Sequence, residues 1–317
     1  MKILIAVLSL AGLPLLAADF PEARISNGIV SATLMLPDPE NGYYRATRFD
    51  WSGQISDLQY KGHSYFGEWN PAPYDPKLHD AIMGPVEEFL TNGMGLGYAD
   101  AKPGGTFIKI GVGVIRKPDE PKFQQFKTYE IVDPGKWTVK KNPDSVEFTQ
   151  VVDGVYEYTK VVRLTKGKPQ LVLEHRLKNL GAKPIESDVY EHNFYMIDKQ
   201  PTGPDVVVKF PFEVHAAGNF RGLAETKGKE LVYLKELEKG QSAQSELTGF
   251  SSDVKDYDIT EENTKTGAGV RQTANRPVVR INYWSIRSTA CPEAYIHMNI
   301  DPGKDFTWNI NYDFFTK

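Results

Sequence analysis

Hydrophobic and polar residues alternate singly along much of the chain. In "FTWNINYDFF", Phe306, Trp308, Ile310, Tyr312 and Phe314 share one parity, and Thr307, Asn309, Asn311 and Asp313 the other. "QLVLEHRLKN" likewise places Leu171, Leu173, His175 and Leu177 on one side. A period of two marks a half-buried antiparallel strand, because successive side chains leave opposite faces of an extended backbone. "VYEYTKVVRLT" and "VVVKFPFEV" add strands, and "DPGK", at Asp133 and again at Asp301, supplies turns between them. Helical spacing is scarce; the clearest place for a short turn or helix is Val86–Leu90, after Pro85. Many modest strands separated by turns predict an all-β fold, a large antiparallel β-sandwich. Two stretches read as irregular: 70–105, rich in Pro and Gly, and 251–275, polar and Thr-rich, which reads as an exposed loop. Long loops on a β scaffold often carry function.

The first eighteen residues break this pattern. Lys2 is followed by an apolar run and then by small residues at Ala17 and Ala18, the layout of a secretory signal peptide. Pro14 interrupts the run, which argues against a membrane span. The expectation is a signal peptide over 1–18, one β domain over 19–317, and a periplasmic or secreted destination. A formal charge of −4 argues against nucleic acid, whose phosphates require clustered positive charge. Cys291 is the single cysteine, so no internal disulfide forms, which suits a periplasm. The six histidines (63, 79, 175, 192, 215, 297) contain no His-x-x-x-His pair. Neither a phosphate loop nor a Gly-x-Ser-x-Gly elbow is present, so nucleotide, zinc-hydrolase and serine-hydrolase chemistry lack a motif. No metal or cofactor is expected, and the oligomeric state stays open.

His192 lies within "VYEHNFYMID", with Tyr190, Phe194 and Met196 on its parity. It reads either as a core histidine among aromatics or as a group that works with a distant carboxylate. Glu293, in "ACPEAYIHMNIDPGKDF", reads either as a solvated strand-entry residue or as that carboxylate, with Tyr295 and His297 on its parity. Arg45 and Arg48 in "YYRATRFDW" are placed to grip an acid or hydroxyls, or equally to stack on Tyr44 and Trp51. Glu87 and Glu88 are adjacent and would point to opposite faces of a strand. Glu88 is carried as a cleft candidate, with loop capping the alternative for Asp80, Glu87 and Glu88. His79 is a ligand hydrogen-bonding candidate or an exposed loop residue, and Trp51, Trp69 and Trp284 are stacking platforms or core.

The stretch "LVLEHRLKNLGAKPIESDVYEHNFYMID", read as strand, Asn-Leu-Gly turn, strand and His-x-Phe-Tyr element, resembles the aldose 1-epimerase (galactose mutarotase-like) superfamily, including its hexose-6-phosphate mutarotase branch. "ACPEAYIHMNIDPGKDFTWNINYDF" is similar to that superfamily's C-terminal part, where a glutamate precedes a Pro-Gly turn and a last strand. "FDWSGQISDLQYKG" is similar to an early hairpin of the same group. The resemblance implies a β-supersandwich, a monosaccharide or oligosaccharide ligand, no cofactor, Glu293 as general base and His192 as general acid. The acid role requires a protonated imidazole, which a neighbouring carboxylate, Glu191 or Glu293, would favour. Tyr190, Tyr295, His297, Arg45, Arg48, His79 and Glu88 are the expected sugar contacts. Leu78-His79 continues with Asp80, where galactose mutarotases have Leu-His-Gly-Gly. Two other classes stay open: a non-catalytic carbohydrate-binding protein, and a protein of polysaccharide lysis or hydrolysis on the same scaffold.

Overall fold

A computed structural model describes residues 20–70 and 72–317; the expected signal peptide lies outside the described residues. The fold is all-β, and every strand pairing is antiparallel. Only three short 3₁₀ turns interrupt the strands among the described residues. No helix there is long and apolar enough to cross a membrane.

Two large sheets form the sandwich. A ten-stranded sheet is built around Gln170–Asn179, which pairs with Tyr156–Leu164 on one side and Asp305–Thr316 on the other. A six-stranded sheet runs from His215–Ala216 through Ser242–Thr248, Arg280–Ile286, Thr289–Ile300 and Ile185–His192 to an edge strand, Val86–Leu90. The alternation in the sequence becomes the core. Leu171, Leu173, Leu177, Trp308, Ile310 and Tyr312 come from the larger sheet, and Val189, Ile281, Ile296 and Met298 from the smaller. Each large apolar side chain so buried contributes about 1.5–3 kcal/mol, which is why parity rather than local propensity holds the register. The Asn-Leu-Gly turn is not a hairpin: Gln170–Asn179 and Ile185–His192 belong to different sheets, and the turn carries the chain across. Asn179 anchors it with side-chain bonds to the carbonyls of Lys183 and Ile300, each 2.8 Å.

Two expectations are overturned. Val86–Leu90 is a strand, not a helix; all five residues are buried, so no alternation of exposure exists to be read. The 251–275 stretch is mostly not a loop. Asp258–Asn263 and Ala268–Ala274 are neighbouring strands of the ten-stranded sheet. Their inward positions include Glu261 and Gln272, so a buried face presents as polar sequence. Gln272 is satisfied there by Asn193 and Tyr257, which removes the cost of burying it.

Candidate active site

The geometry follows from strand register. Tyr190 pairs with Tyr295 where Ile185–His192 runs beside Thr289–Ile300, and continuing that antiparallel register by two residues sets His192 opposite Glu293. Their side chains meet: His192 Nε2 lies 3.1 Å from Glu293 Oε1. On the other side of Glu293, a hairpin with Arg287 and Ser288 at its turn pairs Asn282 with it, and Asn282 Nδ2 donates to Glu293 Oε2 at 2.7 Å. Beyond His192 the chain leaves the sheet. Phe194 takes a positive φ of 47°, and its ring lies parallel to the imidazole at 3.7 Å, with Trp69 stacked on its far side at 4.6 Å. Asn193 faces inward and donates to the carbonyl of Pro292 at 2.8 Å, tying the backbone beside His192 to the backbone beside Glu293. A cleft of about 690 Å³ opens above the pair, walled by Arg48, His79, Gln125, Tyr190, Trp284 and Tyr295.

Burial dominates the electrostatics. It pushes the Glu293 carboxyl up to about 7, against the hydrogen bond from Asn282 and the charge of Arg48. The same burial, with Arg48 nearby, holds His192 well below the ordinary imidazole range, and its Nδ1 is buried without a partner. Against the expectation of an imidazolium favoured by a carboxylate, burial works towards a neutral His192 beside a Glu293 carboxyl that keeps its proton to higher pH than usual. Arg48 is held by Glu88, its Nε 2.8 Å from Oε2, and by the Tyr190 hydroxyl, 3.1 Å from Nη2. Burial works against a charged Glu88, yet Arg48, Lys109 and Tyr190 together keep its carboxylate below the usual range.

The sequence matches no family model and no curated protein. The fold does have counterparts among solved structures. The Slr1438 protein of Synechocystis sp. PCC 6803 superposes with a TM-score of 0.59 at 11% identity, covering 97% of this chain and all of that one. A galactose mutarotase-like protein of Clostridium acetobutylicum gives 0.56 at 14% identity, covering 93% and 95%. An aldose epimerase homologue of C. elegans gives 0.52 at 12% identity, covering 93% and 99%. The fold is galactose mutarotase-like.

On this mutarotase-like scaffold the expected residues divide. Arg48, His79, Tyr190, His192, Glu293 and Tyr295 line the cleft. Glu88 does not; it is fully buried beneath the wall as counter-ion to Arg48. Arg45 is also outside, its guanidinium donating to the Glu40 carbonyl. His297 shares the parity of Glu293 but lies four residues further along the strand, exposed and 2.8 Å from Asp188. Trp51 is core, whereas Trp69 and Trp284 reach the cleft. Asn282, Arg280, Gln125 and Asn193 were not anticipated. The first two were within reach, because the tight turn at Arg287 and Ser288 counts back to the pairs Asn282–Glu293 and Arg280–Tyr295. Nothing in the sequence marks Gln125 or Asn193.

The opposite face of the same strands carries a second polar cluster. Glu87 and Glu191 point between the sheets, where Lys160 Nζ lies 2.5 Å and His175 Nε2 2.6 Å from Glu87. Glu191 therefore cannot serve His192; burial, then the charge of Glu87, raises its own carboxyl well above the ordinary range. Glu87, His175 and Glu191 offer ligand atoms within 4.8 Å of one another. The Lys160 ammonium already neutralises Glu87 in that group, and none of these residues lines the cleft.

Proposed function

We propose that this protein is an exported carbohydrate-active isomerase that interconverts sugar anomers by proton transfer at Glu293 and His192. The observation that carries the reading is the buried 3.1 Å contact between these two side chains on the floor of a sugar-sized cleft. Anomerisation requires a proton to leave the anomeric hydroxyl and another to reach the ring oxygen, so that the ring opens. The freed carbonyl then rotates, and the ring closes with the transfers reversed. A pair that holds one proton between two groups meets this need. With the proton on Glu293, the carboxyl donates to the ring oxygen while neutral His192 accepts from the anomeric hydroxyl. On closure His192 gives its proton to the carbonyl oxygen and Glu293 takes one back from the hydroxyl that re-forms the ring. This allocation exchanges the acid and base roles implied by the superfamily resemblance, and it follows from the opposite effects of burial on a carboxyl and an imidazole. Asn282 orients Glu293, Arg48 places a positive charge on the cleft wall, and the partly exposed ring of Trp284 offers a face to sugar C–H groups.

The test is the rate of anomer equilibration by the purified protein, followed by polarimetry or NMR over neutral hexoses, uronic acids and phosphorylated hexoses. Glu293→Gln and His192→Asn should each lower turnover about 10²–10⁴-fold with little change in sugar affinity. The wild-type rate should fall on the alkaline side near pH 7, where Glu293 loses its proton, and Glu293→Gln should abolish that limb. A Glu293→Gln protein turning over at the wild-type rate ends this reading. A wild-type protein that binds sugars and accelerates none is a carbohydrate-binding protein.

A further inference from the structure

Past Trp284 lies a second cavity of about 750 Å³, walled by Met196, Lys199, Gln200, Lys239, Gln241 and Arg287. Trp284, Ile286, Lys239 and Gly240 belong to the walls of both cavities, so the two adjoin. Trp284 is fixed as the divider by edge-on packing against His192 at 5.6 Å and Trp69 at 5.8 Å. Each volume suits a small ligand by itself.

The charge of the second cavity is one-sided. Its wall holds three cations, Lys199, Lys239 and Arg287, and no carboxylate. Arg287 is engaged by Glu236 and the Leu237 carbonyl. Lys199 and Lys239 are exposed and form no ion pair among the described residues. Two further cations reach the rim: Arg221 donates to Ser242 Oγ at 2.8 Å, and Lys265 to Gln200 Oε1 at 3.1 Å. The Ser288 hydroxyl, on the same wall, is buried without a hydrogen-bond partner. A chain of net charge −4 thus concentrates unpaired positive charge and spare donors in one place, beside its catalytic candidates.

We propose that this cavity is a subsite for an acidic sugar unit, linked to the sugar held over Glu293 and His192, so that the ligand of the whole groove is an acidic di- or oligosaccharide. Lys199 and Lys239 contact the anionic substituent, Gln200 and Gln241 the hydroxyls, and Trp284 the linkage between the units. The inference rests on the sugar reading of the first cleft.

Titration calorimetry on the full chain tests it with four probes: a diuronate, the neutral disaccharide of the same linkage, a monomeric uronate and a hexose 6-phosphate. The diuronate should bind at least about tenfold more tightly than the other three at low salt, with the advantage shrinking at high salt. In Lys199→Glu/Lys239→Glu, checked by thermal melt to be folded, the ratio of diuronate to neutral-disaccharide affinity should collapse towards one. Equal binding of the two disaccharides by the wild type, or an unchanged ratio in the double variant, overturns the proposal. So does a hexose 6-phosphate that matches the diuronate, because the site then takes the anion of a single sugar. Binding of the diuronate without any anomerisation keeps the subsite and removes the mutarotase reading. Rapid anomerisation of monosaccharides without acidic preference does the reverse.

Discussion

His192 and Glu293 differ from free imidazole and carboxyl groups because both are almost wholly buried, at 3% and 4% exposure. Removal from water disfavours whichever form is charged, so it lowers the one and raises the other. For Glu293 this has a consequence for stability. Its folded-state value, about 7, lies above the ordinary 4.5, so the folded protein binds the proton more tightly than the unfolded chain does. The protonated carboxyl therefore costs the fold nothing below about pH 4.5, and stability is lost as pH rises through about 7. Glu293→Gln cannot ionise and still accepts from Asn282. It should match the wild type in denaturant titrations near pH 4 and exceed it by up to about 3 kcal/mol near pH 9. A pH-independent difference between the two proteins would mean that burial does not govern this carboxyl.

The elements matter through what they fix in place. The Val86–Leu90 edge strand and the segment after His192 approach so closely that a Cβ on Gly84 would fall 2.1 Å from the Asn193 carbonyl oxygen and 2.8 Å from that of His192. Both are backbone atoms, which cannot swing aside as a side chain can. Gly84→Ala should therefore push the His192–Phe194 turn away from Glu293. A displacement of about 1 Å is enough to lower turnover on the order of 100-fold. The same variant should melt earlier than the wild type. Full activity in Gly84→Ala would show that the strand and the turn are not rigidly coupled. The element most poorly legible in the sequence was this edge strand itself. "VEEFL" carries two acids, and each is buried for a different reason: Glu88 pairs with Arg48 below the cleft, and Glu87 with Lys160 between the sheets. Neither partner is near in sequence, so nothing local announces a buried strand.

At the scale of the molecule, Lys160 ties the two large sheets together. It projects from the ten-stranded sheet, is 0% exposed, and reaches Glu87 of the six-stranded sheet and the Ser52 carbonyl. The Asp50 carboxyl, 3.9 Å away, is pushed by burial up to about 8 despite that ammonium, so most of the pairing falls on Glu87. Removing one partner of a buried pair strands the other. Lys160→Met should cost about 3–5 kcal/mol in equilibrium unfolding, and adding Glu87→Gln should recover part of it. Tryptophan fluorescence and far-ultraviolet circular dichroism should shift together, since the core spans both sheets. Separate transitions would mean that the sheets unfold independently.

The period-two alternation determined the all-β class and much of the core, because burial of one face is a local property that each strand writes into its own sequence. The strand on which His192 stands was legible for the same reason. Two things only the tertiary structure decided. One is which sheet a strand joins: Gln170–Asn179 and Ile185–His192 are consecutive yet lie in opposite layers. The other is which of two alternating acids meets a cleft, a counter-ion or a buried lysine. Both depend on groups brought together across the fold by long-range pairing, and a single sequence without its partners in space does not carry that information.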